Sequence, residues 1–151
     1  MLEKVLLCTD GSDAAYSAIN FAARLFKGMD CRVTLFMVVE QEALYPPIAT
    51  DGMLYPEVVM PPMENLGEVL EQRARSILEG SERPLREAGI QVEKKVMVGN
   101  PASDIIAEAE GDHYDMVIMG RHGHGFFKNF LIGSVSDRVV RHASCPVLVV
   151  H

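Results

Sequence analysis

Apolar residues in this chain gather into short unbroken runs separated by stretches of helical spacing. Val5-Leu6-Leu7, Val33-Thr34-Leu35-Phe36-Met37-Val38-Val39, Met116-Val117-Ile118-Met119 and Val147-Leu148-Val149-Val150 have the continuous apolar character of strands covered on both faces. Residues 91–98 alternate instead, with Val92, Val96 and Val98 apolar and Glu93, Lys94 and Lys95 polar, as expected near a sheet edge. Between the first two runs, Ala15, Ile19, Ala22, Ala23 and Phe26 recur at helical spacing behind a capping Ser12, and Gly28 is expected to end that helix. Leu66, Val69, Leu70, Ile77, Leu78 and Leu85 form one face of a long helix over residues 64–88. Pro84 is expected to kink or interrupt it, and Gly89 to close it. Asn100-Pro101 is a cap followed by proline at the first turn, with Ile105, Ile106 and Ala109 facing inward. Strands are predicted at 4–9, 32–39, 91–98, 114–119 and 146–150. The order βαβ, insert, αβαβαβ implies one α/β domain over residues 1–151, its parallel sheet covered by helices on both faces.

Residues 40–63 break the pattern. They hold five of the eight prolines and the pair Asp51-Gly52, and show neither period. Tyr45, Tyr55, Met53, Met60 and Met63 make this Pro/Met-rich loop too apolar for a plain linker. A flap over a crevice, a dimer contact and a disordered insert all fit it.

A net charge of −7 argues against nucleic acid and anionic membranes as partners. Cys8, Cys31 and Cys145 have no metal-ligand spacing, and the first two fall in or beside apolar strands as small core residues. The first strand begins at once, leaving no room for a signal peptide, and no run is long enough for a membrane span. A cytoplasmic protein is the expectation.

The chemistry concentrates after the Met116–Met119 run. Gly120-Arg121-His122-Gly123-His124-Gly125 follows it, and Gly133-Ser134 then opens an amphipathic segment over 135–142. Glycines past a strand permit positive φ and let a ligand approach the amides. A helix starting at Ser134 turns unpaired N–H groups and its positive dipole end toward the same crevice. Together they suit a phosphate chain held by backbone. The same glycines also suit a plain loop, and Ser134 with Asp137 serves as a capping-box variant at any helix start. The stretch is not a P-loop, because Phe126-Phe127 stand where Lys and Ser/Thr are needed. Nor does Thr9-Asp10-Gly11-Ser12 fit the dinucleotide fingerprint after the first strand.

Gly120-x-x-Gly123, nine residues, then Gly133-Ser134 resembles the nucleotide-binding pattern of the universal stress protein family. The segments 133–143 and 145–150, and the opening 5–12, resemble that family too, so the likeness covers essentially the whole chain. It implies a five-stranded parallel sheet of order 3-2-1-4-5, with strands 1 and 4 flanking a crevice. By position it implies Asp10 on the ribose with Thr9 beside it, and Val38 and Val39 walling the adenine. Gly120, Gly123, Gly133, Ser134 and Val135 would hold the triphosphate, with Ser136 adding a hydroxyl. Met119 also belongs to the implied nucleotide site, and Arg121 and His122 join it if they face the cleft or are solvated loop residues if they face water. The ligand implied is ATP or a related adenine nucleotide, with or without Mg²⁺, bound by a stress-signalling module. The strand at 146–150 is implied to pair with a second copy, giving a homodimer. Arg121-His122 and His124 replace the smaller residues frequent in the family loop.

The alternatives are a slow ATPase and a nucleotide-free dimeric interaction protein. No acidic pair near the loop suits Mg²⁺, and no general base is positioned beyond Asp10, His122 and His124, so no catalytic residue or metal site is assigned. A receiver domain lacks its acceptor Asp after the third strand here. If the loop histidines face bound phosphate, nucleotide affinity rises as pH falls from about 8 toward about 6. A dissociation constant that does not move with pH would take the histidines out of the site.

Overall fold

The computed structural model describes residues 2–40, 66–122 and 133–151. The elements are β1 (Lys4–Cys8), α1 (Asp13–Leu25), β2 (Arg32–Glu40), α2 (Leu66–Glu87), β3 (Gln91–Gly99), α3 (Pro101–Gly111), β4 (Met116–Gly120), α4 (Ser134–His142) and β5 (Val147–Val150). All strand pairs are parallel, and the sheet order is β3-β2-β1-β4-β5, as the family resemblance implied. Of the insert expected at 40–63, Glu40 instead ends β2, and the rest, with the choice between flap, dimer contact and disorder, lies outside the described residues.

Period-two alternation sorts the central strands into two cores. Val5, Leu7, Val33, Leu35 and Ile118 pack under α1 and α2, with Ala18, Ile19, Ala22, Leu78 and Leu85. Leu6, Cys8, Phe36, Val117 and Met119 pack under α3 and α4, with Ile105, Ala109 and Val139. The chain leaves β1 toward one face and β4 toward the other. Their shared carboxyl ends form the switch point where open α/β sheets take ligands.

Ser12 caps α1, accepting from Ala15 N, and Asn100 caps α3, accepting from Ser103 N, both as predicted. Helix α1 ends at Leu25 with Phe26 as its cap, so Gly28 belongs to the turn beyond, at φ +79°. Gly89, at φ +80°, closes α2: its N–H donates to Arg86 O while Ile90 N–H donates to Leu85 O. That is a Schellman pair, sealed by buried Leu85 and Ile90. Pro84 was expected to kink or interrupt the helix, and it does not interrupt it. Residues Leu66–Glu87 form one helix through it. Buried Ala74, Leu78, Ser81, Glu82 and Leu85 hold that helix on the sheet, and packing outweighs the proline's cost of about 3 kcal/mol.

Edge strand β3 is fastened from both sides. Lys94 donates to Glu82 of α2 at 2.8 Å, and its neighbour Lys95, facing the opposite way, donates to Glu108 of α3 at 2.6 Å. Val96, Met97 and Val98 are exposed, so at this end the alternation marks an edge and not a buried face. The Glu82 side chain is only 9% exposed and also accepts from Arg86 Nε. Burial pushes its carboxyl up, but the hydrogen bonds and charges of Lys94 and Arg86 prevail and hold it below the usual glutamate range. A depressed carboxyl contributes stability above its unfolded value and loses it as pH falls through the folded one. Glu82→Gln is therefore expected to cost about 1–2 kcal/mol at neutral pH, since Lys94 and Arg86 can hydrate once released. In urea titrations that deficit should begin to shrink below about pH 4.3 and disappear once pH falls past the lowered folded value; a deficit independent of pH would remove the ion pairs from β3's attachment.

Candidate functional site

The carboxyl end of β4 has no room for a side chain. A Cβ on Gly120 would lie 2.5 Å from the Ala14 carbonyl carbon and 2.8 Å from Ala15 N, so the first turn of α1 rests directly on this residue. The glycine is needed for that approach, not for a left-handed backbone. Among the described glycines, Gly11, Gly28 and Gly89 have positive φ, and Gly120 and Gly133 do not. The expectation of positive φ after β4 is corrected for these two, while Gly123 and Gly125 lie outside the described residues.

Past Gly120 the backbone is pinned at Arg121. Its N–H donates to Val150 O of β5 at 2.9 Å, and its carbonyl accepts from Gly133 N–H at 2.8 Å. The Ser136 hydroxyl reaches that same carbonyl at 2.8 Å and lies 3.0 Å from Gly133 O. Ser136 is 2% exposed, so its hydroxyl closes the base of the loop from beneath. Arg121 Nε donates to His122 Nδ1 at 3.1 Å, and Arg121 Nη1 lies 3.3 Å from His151 Nδ1. Ser12 Oγ lies 3.5 Å from His122 O, bringing the α1 cap to the same place. His124 falls outside the described residues.

Helix α4 starts at Ser134 as expected, but Ser134 is not its capping residue. Its N-cap is Gly133 (φ −70°, ψ 158°), and Ser134 is its first helical residue. Glycine has no side chain to accept from the first-turn amides, and among the described residues none does so. Helices α1 and α3 each spend a side chain on that task. Among the described residues, then, no side chain caps the first-turn donors of α4. Asp137 lies in the first turn but pairs with Arg141, four residues on.

Across the switch point, half-buried Asp10 turns the chain out of β1, its Oδ1 accepting from Ser12 N–H at 2.9 Å. Thr9 is buried, donates its N–H to Phe36 O and accepts from Gly11 N–H on its hydroxyl. Burial pushes the thiol of Cys8 up, so no thiolate stands beside this turn at neutral pH. Val38 packs with the core beneath α3 and α4, which also holds Met119 and Val135; Val39 packs on the opposite face. Of the two predicted walls, Val38 alone shares the face on which α4 begins. Ser12 was read from sequence only as the cap of α1, and neither its place at the loop base nor His151 or Asp104 was singled out. The capping pattern gave Ser12 its helix, not its meeting with His122, and nothing local points to the other two.

Among the described residues no three His, Cys, Asp or Glu side chains gather as metal ligands, and no helix is long and apolar enough to cross a membrane.

The family model described as "Universal stress protein family" matches residues 1–151. Universal stress protein MJ0577 of Methanocaldococcus jannaschii is 30% identical over 155 residues, covering 99% of this chain and 95% of its own. Universal stress protein YxiE of Bacillus subtilis is 29% identical over 151 residues, covering 99% of each. The solved structure of MJ0577 superposes with a TM-score of 0.83 at 28% identity, covering 99% of this chain and 96% of that one. Two more distant structures share the fold. A universal stress protein in complex with cAMP has a TM-score of 0.67 at 21% identity, covering 99% of this chain and 96% of that one. A family protein from Arabidopsis thaliana with AMP bound has a TM-score of 0.65 at 19% identity, covering 98% and 90%. Whole-chain agreement in sequence and in strand order leads to one conclusion: this chain belongs to the universal stress protein family.

Proposed function

We infer that this protein is an adenine-nucleotide-binding signalling module whose ligand lies over the carboxyl ends of β1 and β4. The observation that carries the reading is the bare amino end of α4. Backbone N–H groups at Ser134, Val135 and Ser136, with the helix dipole behind them, favour a phosphate chain in a molecule whose net charge of −7 would otherwise repel one. Gly120, Arg121, His122, Gly123 and Gly133 supply the surrounding loop. Asp10, across the switch point, is an acceptor for ribose hydroxyls, with Thr9 shaping its turn. Val38 offers an apolar surface for the base beside Met119, with Val39 at the rim of the opposite face. Support of a coarser kind comes from the two structures of this fold carrying cAMP and AMP. ATP, with or without Mg²⁺, is the ligand we assign.

Nothing in this reading calls for turnover. The ligand's role is to shift a conformation or an assembly, and β5 is the sheet edge at which a second copy would add its strand. The residue tying the loop to that edge is Arg121, bonded to Val150 through its backbone and meeting His151 through its side chain.

Ser134→Asp separates fold from function. Ser134 is exposed at the first position of α4, where a carboxylate favours the helix by about 0.3–1 kcal/mol. The same charge faces the phosphates. Calorimetry with ATP is expected to show affinity weakened by at least about tenfold, about 1.4 kcal/mol, with an unchanged or slightly raised Tm. Equal affinity in the variant and the parent protein would place the phosphates elsewhere.

A further inference from the structure

Arg121 is half-buried where β4 ends, and its guanidinium meets no carboxylate among the described residues. Of the described lysines and arginines only Lys4 and Arg121 are half-buried, and all the others are exposed. Lys4 pairs with Asp112 at 3.3 Å. The Arg121 side chain meets two imidazoles instead, with Nε donating to His122 Nδ1 and Nη1 lying 3.3 Å from His151 Nδ1. Arginine only donates, so both ring nitrogens accept, and three of the five guanidinium N–H groups have no partner among the described residues. A cation drawn partly out of water without a counter-charge is costly, and in a chain of net charge −7 it calls for an anion from outside the fold.

Its place in the fold points to the anion. Gly120 pairs with Val150 at the end of the β4–β5 ladder, and the Arg121 N–H donates to Val150 O. Arg121 and His151 are therefore the next cross-strand neighbours. By alternation they follow Met119 and Val149, whose side chains pack on the face covered by α3 and α4. The Arg121 carbonyl accepts from Gly133, the cap of α4. The guanidinium thus shares its face and its end of the sheet with the first amides of α4, displaced toward β5. The strand order ranks the parts of a nucleotide laid along this rim, with the base at Val38 of β2, the ribose at Asp10 after β1 and the phosphates at α4 beyond β4. Beyond those, on the side of β5, comes the end of the phosphate chain.

We propose that Arg121 is a specificity-determining residue, its guanidinium, held by His151, taking the terminal phosphate of a nucleoside triphosphate. This assignment rests on the nucleotide reading above and adds the group by which a triphosphate is told from a monophosphate. A guanidinium presents a planar fork that fits two phosphate oxygens at once through charge-assisted hydrogen bonds. A monophosphate held at the amides of α4 stops short of that fork and gains nothing from it. His151 steadies the fork before the ligand arrives, so less side-chain freedom is lost on binding.

The test measures ATP and AMP affinities by calorimetry on the full chain, on Arg121→Gln and on His151→Ala, with Arg138→Gln of exposed α4 surface as the control for charge alone. Arg121→Gln removes the charge and leaves the backbone bonds to Val150 and Gly133 in place. It is expected to weaken ATP binding by at least about tenfold, the scale of a hydrogen bond to a charged group, and AMP binding by less than about twofold. His151 is exposed, so His151→Ala spares the core; it should weaken ATP by a smaller factor and leave AMP unmoved. Arg138→Gln should shift both nucleotides only slightly, because salt screens an exposed charge. Equal losses for ATP and AMP in Arg121→Gln, or an ATP loss matched by Arg138→Gln, overturn the assignment while leaving nucleotide binding intact. Should Arg121→Gln fold poorly, His151→Ala decides, and an unchanged ratio of ATP to AMP affinity there overturns the assignment. A parent protein that binds neither nucleotide overturns the nucleotide reading and this assignment together.

Discussion

The close contact between the end of β4 and the first turn of α1 sets the rest of the site. Gly120 lies against the Ala14 backbone at distances that a methyl group could not share. Since α1 follows directly from the Asp10 turn, that contact brings the Asp10 carboxylate next to the strand that delivers the loop. The Arg121 carbonyl then binds Gly133 and Ser136, so the loop leaves and re-enters at one point. Helix α4 consequently starts at the switch point, and among the described residues no side chain caps its first amides. A larger residue at position 120 would separate these parts before it touched any ligand.

This changes the meaning of the glycine spacing. Glycines in such a loop are easily taken as clearance for a ligand, yet the first serves a helix packed from behind and the last serves as a cap without a side chain. Ser136 is a similar case. Its hydroxyl has the chemistry to meet a phosphate, but here it is buried on the carbonyls of Arg121 and Gly133. The hydroxyl that stands exposed at the helix start is that of Ser134.

The layered fold was legible because the apolar runs are long and uninterrupted, and because Ser12, Asn100 and Gly89 each perform the local task their chemistry suggests. The strand order came from family resemblance and not from periodicity, since spacing along a chain does not rank neighbours across a sheet. Pro84 was misleading because propensity is a local preference, and the buried face of α2 overrides it. The start of α4 at Ser134 was legible, whereas the capping-box alternative put the cap one residue late, because glycine and serine both serve at that position. Asp104 gave no signal at all. Its contact with Gly99 spans a turn whose shape depends on how α3 seats on the sheet. The two-sided fastening of β3 by Glu82 and Glu108 was likewise invisible until helix faces were matched to strand faces.

The central claim is that backbone donors at the start of α4 hold the ligand's phosphates, and amide resonances report on those donors directly. Titrating ¹⁵N-labelled protein with ATP should move the amide signals of Ser134, Val135 and Ser136 most, with hydrogen exchange slowed at the same positions. Saturable ATP binding that leaves those three amides unmoved would contradict it.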